Sequence, residues 1–156
     1  MSEPTIEPYD VYAVRYARNE NAARDNFLFD PARHADHMGD APADPHDGPM
    51  ALDFFIWLIT GNGRTFVVDL GFDHAGAARR GGRNIQRLPS EALQMLDVDA
   101  ATVEEVIVTH LHYDHAGDLG SFPNARLHIQ ADEMAYATGP FMSHKTLRLA
   151  FDVDYV

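Results

Sequence analysis

Residues 109–117 read THLHYDHAG, which places three imidazoles and one carboxylate within six residues, namely His110, His112, Asp114 and His115. Imidazole nitrogens and carboxylate oxygens are the donors that bind zinc, iron or manganese in proteins. Histidine makes up only 9 of the 156 residues. Chance would therefore give this spacing at a rate of roughly 3 in 1000. The segment predicts a metal site rather than a solvated polar loop.

The spacing of the four donors predicts two ions side by side. His110 and His112 are two residues apart, so in an extended segment their rings point the same way and can share one ion. Asp114 and His115 are adjacent and would point apart in an extended chain, so a turn at Asp114 is needed to aim both at a second ion. Gly117 then relaxes the backbone where the chain leaves the site.

The residues before this loop predict a strand. Residues 103–109 contain Val106, Ile107 and Val108, a β-branched run without polar alternation. Such a run is typical of a strand that is buried on both faces. Because α/β proteins place their chemistry at the carboxyl ends of such strands, the histidine loop lies where a functional site is expected.

The rest of the chain predicts a mixed α/β domain. Residues 9–17, 52–59, 65–70 and 126–129 are predicted strands, and residues 89–96 and 131–137 are predicted helices, with at most one helical turn at 102–105. Asn62-Gly63 favours a tight hairpin turn between the second and third strands. Phe54, Phe55 and Trp57 are assigned to the core of this hairpin.

Asp69 stands at the end of the third predicted strand, where a buried carboxylate needs partners. It either anchors the histidine loop from behind the metal ligands or caps the following turn, and the sequence leaves both open. His128 is interpreted as a strand histidine with a local hydrogen bond, and His144 as an exposed side chain.

Composition excludes several classes of function. A formal charge of −12 disfavours nucleic acid as a partner. The absence of cysteine removes disulfides, thiolate metal ligands and a cysteine nucleophile. No apolar run reaches membrane-spanning length and the N-terminus does not resemble a signal peptide, so we expect a cytoplasmic protein with no membrane partner.

Two further segments are ambiguous. The arginines of residues 79–83, with Arg87 nearby, favour a solvated loop, and an anion or substrate contact is the alternative. Residues 30–49 form a long polar loop that contains His34, His37 and His46. These histidines are either exposed or, if the loop is a lid, substrate contacts.

Two segments of the sequence, residues 109–117 and 67–71, resemble motifs of a known family. Residues 109–117 resemble the HxHxDH signature of the metallo-β-lactamase superfamily. Residues 67–71, VVDLG, resemble that superfamily's strand ending in Asp-Thr-Gly, with Leu70 in place of threonine. Residues 118–119 and 122–125 are most similar to the N-acyl homoserine lactonase family.

The resemblance implies one α/β domain over residues 1–156, a metallo-β-lactamase-like αββα sandwich of which only the N-terminal half is present. It implies that His110 and His112 bind a first metal, and Asp114 and His115 a second. The family's remaining ligands lie beyond such a half, so the domain is expected to be truncated at its C-terminus.

The implied activity is that of a dinuclear hydrolase, with zinc as the first choice of metal and iron, manganese or cobalt as alternatives. Its substrate would be a small N-acyl homoserine lactone, opened by a metal-bridging hydroxide while Asp114 moves a proton. The alternatives are a glyoxalase II-like thioesterase, a phosphodiesterase, or a non-catalytic metal-binding fragment that aggregates or pairs with a second copy as a homodimer.

Overall fold

The computed structural model describes residues 7–21 and 48–156. In these ranges the chain forms five strands: β1 (Asp10–Asn19), β2 (Leu52–Gly61), β3 (Arg64–Val68), β4 (Glu105–Ile107) and β5 (Arg126–His128). The α-helices are α1 (His74–Arg79), α2 (Pro89–Gln94) and α3 (Ala131–Ala137). The predicted mixed α/β class is confirmed.

The first three strands form an antiparallel meander. Asn62 and Gly63 connect β2 to β3 with φ angles of 52° and 69°. This left-handed backbone is what a tight two-residue hairpin turn requires, and asparagine and glycine adopt it at the lowest cost. The predicted hairpin is therefore confirmed, although β3 ends at Val68, one residue before Asp69.

The last three strands run parallel in the order β3-β4-β5. The connection from β3 to β4 passes through α1 and α2, and the histidine loop lies in the connection from β4 to β5. Val68 pairs with Ile107, so β3 and β4 end at the same edge of the sheet. This register delivers Asp69 and Thr109, which follow the two strands, to neighbouring positions.

One face of the sheet forms the core. Ile56, Leu58, Val67 and Val106 are at most 1% exposed. They belong to one buried cluster with residues of α1 and α2. The helices pack on this face because its side chains are apolar, and covering these side chains removes a large apolar area from water.

The opposite face of the sheet is partly exposed, and this exposure contradicts two predictions. Phe55 and Trp57 are 39% and 43% exposed, so they are not core residues of the hairpin. Ile107 is 37% exposed, so β4 is not buried on both faces. The physical reason is that the helices of the described residues lie on one side of the sheet. Phe54, in contrast, is buried as predicted.

Most of the remaining elements match the sequence. The predicted helix at 131–137 is confirmed as α3, whereas α2 and β5 each end before the predicted residue, at Gln94 and His128. The single helical turn before β4 is a 3₁₀ turn at Ala100–Thr102. The Asp99 side chain caps it, so the turn begins two residues before the predicted 102–105 position.

Among the described residues, no helix has the length and apolar character needed to cross a membrane.

Candidate metal centre

The histidine loop leaves the end of β4 and turns at residues 113–115. The His115 amide donates to the His112 carbonyl at 3.0 Å and closes this turn. The ring centroid of His110 consequently lies 4.5 Å from that of His112 and 3.9 Å from that of His115. His115 Nε2 lies 3.5 Å from an Asp114 carboxylate oxygen. The fold thus brings together the four residues that the sequence singled out.

Asp69 anchors the loop from behind the histidines. Its carboxylate accepts from the Thr109 amide at 2.8 Å and from the Thr109 hydroxyl at 2.9 Å. The other carboxylate oxygen accepts from His115 Nδ1 at 2.7 Å. Asp69 has a φ of 63°, a conformation that aspartate tolerates better than most residues. Of the two roles left open by the sequence, the structure supports the anchor.

The backbone of the loop is joined to the segment after β3 at two more points. The Leu70 amide donates to the His115 carbonyl at 2.8 Å, and the Gly117 amide donates to the Gly71 carbonyl at 2.7 Å. A Cβ on Gly117 would lie 2.6 Å from the Gly71 oxygen. Close approach of two backbones explains this glycine, and the predicted role in relaxing the backbone is not needed.

Glu133 of α3 is a contact that the sequence analysis missed. Its carboxylate accepts at 2.8 Å from the amide of Leu111, which lies between His110 and His112. The sequence shows only an acidic residue in the first turn of a helix, where it also favours the helix dipole. Nothing in its local pattern indicates a partner 22 residues earlier.

Arg79 and Arg80 contact distant parts of the chain, so these two arginines are not free in the solvated loop that the sequence favoured. The Arg79 guanidinium pairs with the buried Asp152 at 2.6 Å. Arg80 donates to the carbonyls of Leu149 and Phe151. These contacts are far apart in sequence, so the local polar pattern did not indicate them. Phe151 in turn forms a β-bridge with His112 and stacks edge-on against its ring at 4.9 Å.

The environment separates the protonation states of the three imidazoles. Burial lowers the pKa of His110 and His112, and the positive charge of neighbouring His115 adds to this effect. Burial would also lower the pKa of His115, but hydrogen bonds with Asp114 and Asp69 outweigh it and raise that pKa to about 9. Burial opposes ionisation of Asp114, yet the His115 contact keeps the Asp114 pKa below its usual value.

A shallow apolar pocket adjoins the loop. It has a volume of about 260 Å³. Its lining comprises Leu52, Asp53, Phe54, Phe55, Trp57, Asp114 and His115. The one carboxylate on the β2 side, Asp53, is paired with Arg15 and Arg18. The exposed aromatic rings of β2 and the metal-ligand candidates therefore line the same space.

The donor set fits a divalent metal ion in its chemistry. His110 and His112 have lowered pKa values, which favours the neutral imidazole that a metal needs, and Asp114 favours its ionised form. Within residues 7–21 and 48–156, no three histidine, cysteine or acidic side chains are grouped so that they could hold a metal ion together. The loop thus supplies adjacent donors without completing a site.

Of the other histidines that the structure describes, His128 and His144 do not join this cluster. His128 contacts the Glu105 carboxylate through Nε2, which confirms the predicted local hydrogen bond. His144 is exposed, as predicted. His34, His37 and His46, with most of the 30–49 segment, lie outside the described residues, so their predicted alternatives stay predictions.

A family comparison agrees with the histidine loop and its Asp69 anchor, and it extends over most of the chain. The sequence model described as the metallo-beta-lactamase superfamily matches residues 55–153. The chain belongs to this superfamily. The matched region contains β3, the Asp69 anchor, the histidine loop and the segment that carries Phe151, so family membership rests on more than the short motif.

Curated relatives are N-acyl homoserine lactonases. The enzyme AttM of Azorhizobium caulinodans is 40% identical over 62 residues, which are 38% of this chain and 24% of that protein. AttM of Agrobacterium fabrum is 39% identical over 64 residues, which are 40% of this chain and 24% of that protein. The match thus spans about a quarter of the length of these relatives.

Solved structures show the same fold. A probable metal-dependent hydrolase from Staphylococcus aureus superposes with a TM-score of 0.68 at 16% identity, over 94% of this chain and 55% of that one. An N-acyl homoserine lactone hydrolase, solved with N-hexanoyl-L-homoserine at its catalytic metal centre, gives a TM-score of 0.59 at 17% identity, over 91% and 58%. The predicted metallo-β-lactamase-like fold is confirmed, and the chain spans a little over half of these structures.

Proposed function

We propose that this protein is a metal-dependent hydrolase that opens N-acyl homoserine lactones. The observation that carries the proposal is the anchored histidine loop, whose four donors border an apolar pocket. The lactonase relatives support the choice of substrate, because the superfamily alone specifies only a hydrolase. A small cyclic ester with an apolar acyl chain matches a site that is polar on one side and aromatic on the other.

In this proposal, His110 and His112 hold one divalent ion and Asp114 and His115 hold a second. Bound zinc would supply Lewis acidity and an activated water at neutral pH. Asp69 and Glu133 keep the ligands in place by holding the backbone at Thr109 and Leu111 and the His115 ring. Such partners behind the ligands fix the ring orientation and the tautomer.

The chain's own residues also explain how the substrate would be oriented. The Asp114 carboxylate lies at the boundary between the loop and the pocket. There it can pass a proton to the alcohol oxygen that leaves when the lactone ring opens. Phe55 and Trp57 form the apolar wall of the same pocket, so they would contact the acyl chain and exclude water from one side of the ester.

The test uses the full-length zinc-loaded protein on a panel of an acyl homoserine lactone, a thioester and a phosphodiester. We expect lactone opening to be the fastest reaction. Asp114→Asn should reduce kcat for the lactone by about 10²- to 10⁴-fold. His144→Asn is the matched control, since His144 is exposed and outside the loop, and it should retain wild-type rates.

Faster hydrolysis of the thioester or the phosphodiester than of any lactone would contradict the substrate assignment. Equal rates for Asp114→Asn and the wild type would contradict the role given to Asp114.

A further inference from the structure

Strand β1 contains an irregularity at Tyr16. The register with β2 pairs Arg15 with Phe55 and then Ala17 with Phe54, so Tyr16 has no partner across the ladder. An extra residue of this kind bends a strand and redirects its side chain. Tyr16 and Ala17 are consequently both buried, although neighbouring residues of a regular strand point to opposite faces.

The strand alternation that buries Val14 also points the Tyr16 side chain into the core beneath the histidine loop, and the bulge adds Ala17 to the same face. Tyr16 is 0% exposed. Its ring packs edge-on against Phe72 at a centroid distance of 5.1 Å, and Phe54 lies 6.2 Å away. The hydroxyl donates to the Asp114 carbonyl at 3.2 Å, across 98 residues of sequence. A ring enclosed in this way holds its hydroxyl at a fixed point.

Gly71 leaves the space that this ring occupies. A Cβ at Gly71 would lie 2.7 Å from Cζ of Tyr16 and 2.7 Å from the Pro89 ring. Gly71 also has a φ of 64°, which a larger side chain would adopt only with strain. The close approach of Gly71 thus makes room for the ring that carries this contact.

The hydrogen bond from Tyr16 lies at the part of the loop that needs a specific backbone turn to bring its two ligands together. Asp114 and His115 are adjacent and can face one ion only if the peptide between them is held in a turn. The Leu70 amide fixes the His115 carbonyl, and the Tyr16 hydroxyl fixes the Asp114 carbonyl. Together these contacts set the orientation of two consecutive peptide planes.

We infer that Tyr16 is a positioning residue, whose hydroxyl holds the Asp114–His115 turn so that carboxylate and imidazole are aimed at one metal ion. The inference rests on the proposed function for the presence of that ion. The hydrogen bond and its effect on the turn exist without metal. The contact acts on the backbone of Asp114, so Tyr16 touches neither the substrate nor the reacting atoms.

The test compares Tyr16→Phe with Tyr155→Phe in the full-length protein. Each change removes one hydroxyl, and Tyr155 donates to the Asp73 side chain and not to the backbone of the histidine loop. In the metal-free protein we expect Tyr16→Phe to raise hydrogen exchange at residues 114–117 by about three- to tenfold, the effect of one lost hydrogen bond. In a stepwise zinc titration, it should weaken the second ion by a similar factor and leave the first within about twofold. Tyr155→Phe should change neither quantity.

Unchanged exchange at residues 114–117 in Tyr16→Phe would overturn the inference. Exchange that rises equally throughout the sheet would also overturn it, because that result indicates a general packing role. Local loosening of the turn in a protein that opens no lactone would support the positioning role and contradict the proposed function.

Discussion

The two halves of the histidine loop are held in different ways. The His110–His112 half contacts elements near the surface, through the Glu133 carboxylate of α3 and the Phe151 ring. The Asp114–His115 half is tied to the core by the Leu70 amide and by the buried Asp69 carboxylate, which contacts the His115 ring directly but reaches the first half only through Thr109. The first half has two imidazoles with lowered pKa values, and the second is an ion pair.

This difference shows that adjacent donors of one motif need not have the same protonation state in the metal-free protein, and hence need not be equally ready to bind a metal ion. A neutral imidazole offers a free lone pair, whereas a protonated His115 must lose its proton before it can bind. The second half therefore depends more strongly on its anchors, because they determine both the orientation and the charge of its ligands.

The largest expected effect comes from Asp69→Asn. The amide keeps the shape of the carboxylate but removes the negative charge that faces His115 Nδ1. It can also place a donor against a donor at that position. We expect zinc affinity at the second half to fall by about 10- to 100-fold. A stepwise zinc titration of the full-length protein measures this affinity.

Asp118→Asn is the matched control for this change, since Asp118 is also buried but its partners are Ser90 and Ser121. Equal losses of zinc affinity in both variants would show that any buried charge matters and would remove the special role of Asp69.

An effect of similar size is expected from pH in the metal-free protein. The pKa of His115 is raised from its usual value near 6.5 to about 9. A raised pKa in the folded state stabilises the fold fully below pH 6.5, and this stabilisation disappears as pH rises through 9. We expect the free energy of unfolding to fall by about 1–3 kcal/mol between pH 6.5 and 9.

Urea unfolding at several pH values measures this free energy. His110 and His112 do not mask the effect, because their lowered pKa values place their titration below this window. His115→Gln should remove the slope between pH 6.5 and 9. The same slope in this variant would show that another group causes it.

The smallest effect is expected from Glu133→Ala, which acts on the other half of the loop. Removing the carboxylate leaves the Leu111 amide without its acceptor, at a cost of about 1 kcal/mol. We expect the first zinc ion to bind about three- to tenfold more weakly and the second to be little changed. Asp132→Ala, at the preceding position of α3, is the control and should behave as the wild type.

Much of the fold follows from local sequence. The Asn62-Gly63 turn, helix α3 and the clustering of the four donors depend on short-range backbone preferences and on spacing. The anchoring role of Asp69 was one of two alternatives, and its partner Thr109 lies 40 residues away. Sequence could indicate that a buried carboxylate needs a partner, but it could not choose which one.

The remaining features depend on contacts across the fold. Phe55, Trp57 and Ile107 have the composition of core residues, and only the one-sided packing of the helices shows that they are exposed. Tyr16 and Arg80 reach partners 98 and 71 residues away. No periodicity within a strand or a loop encodes such distances.

The most direct test of the account is zinc-edge anomalous diffraction from crystals of the full-length zinc-loaded protein. We predict two peaks at the loop, one within about 2.0–2.2 Å of nitrogens of His110 and His112, and one within the same distance of an Asp114 oxygen and a His115 nitrogen. Zinc at His128 or His144 with none at the loop, or a single ion that does not contact Asp114 and His115, would contradict it.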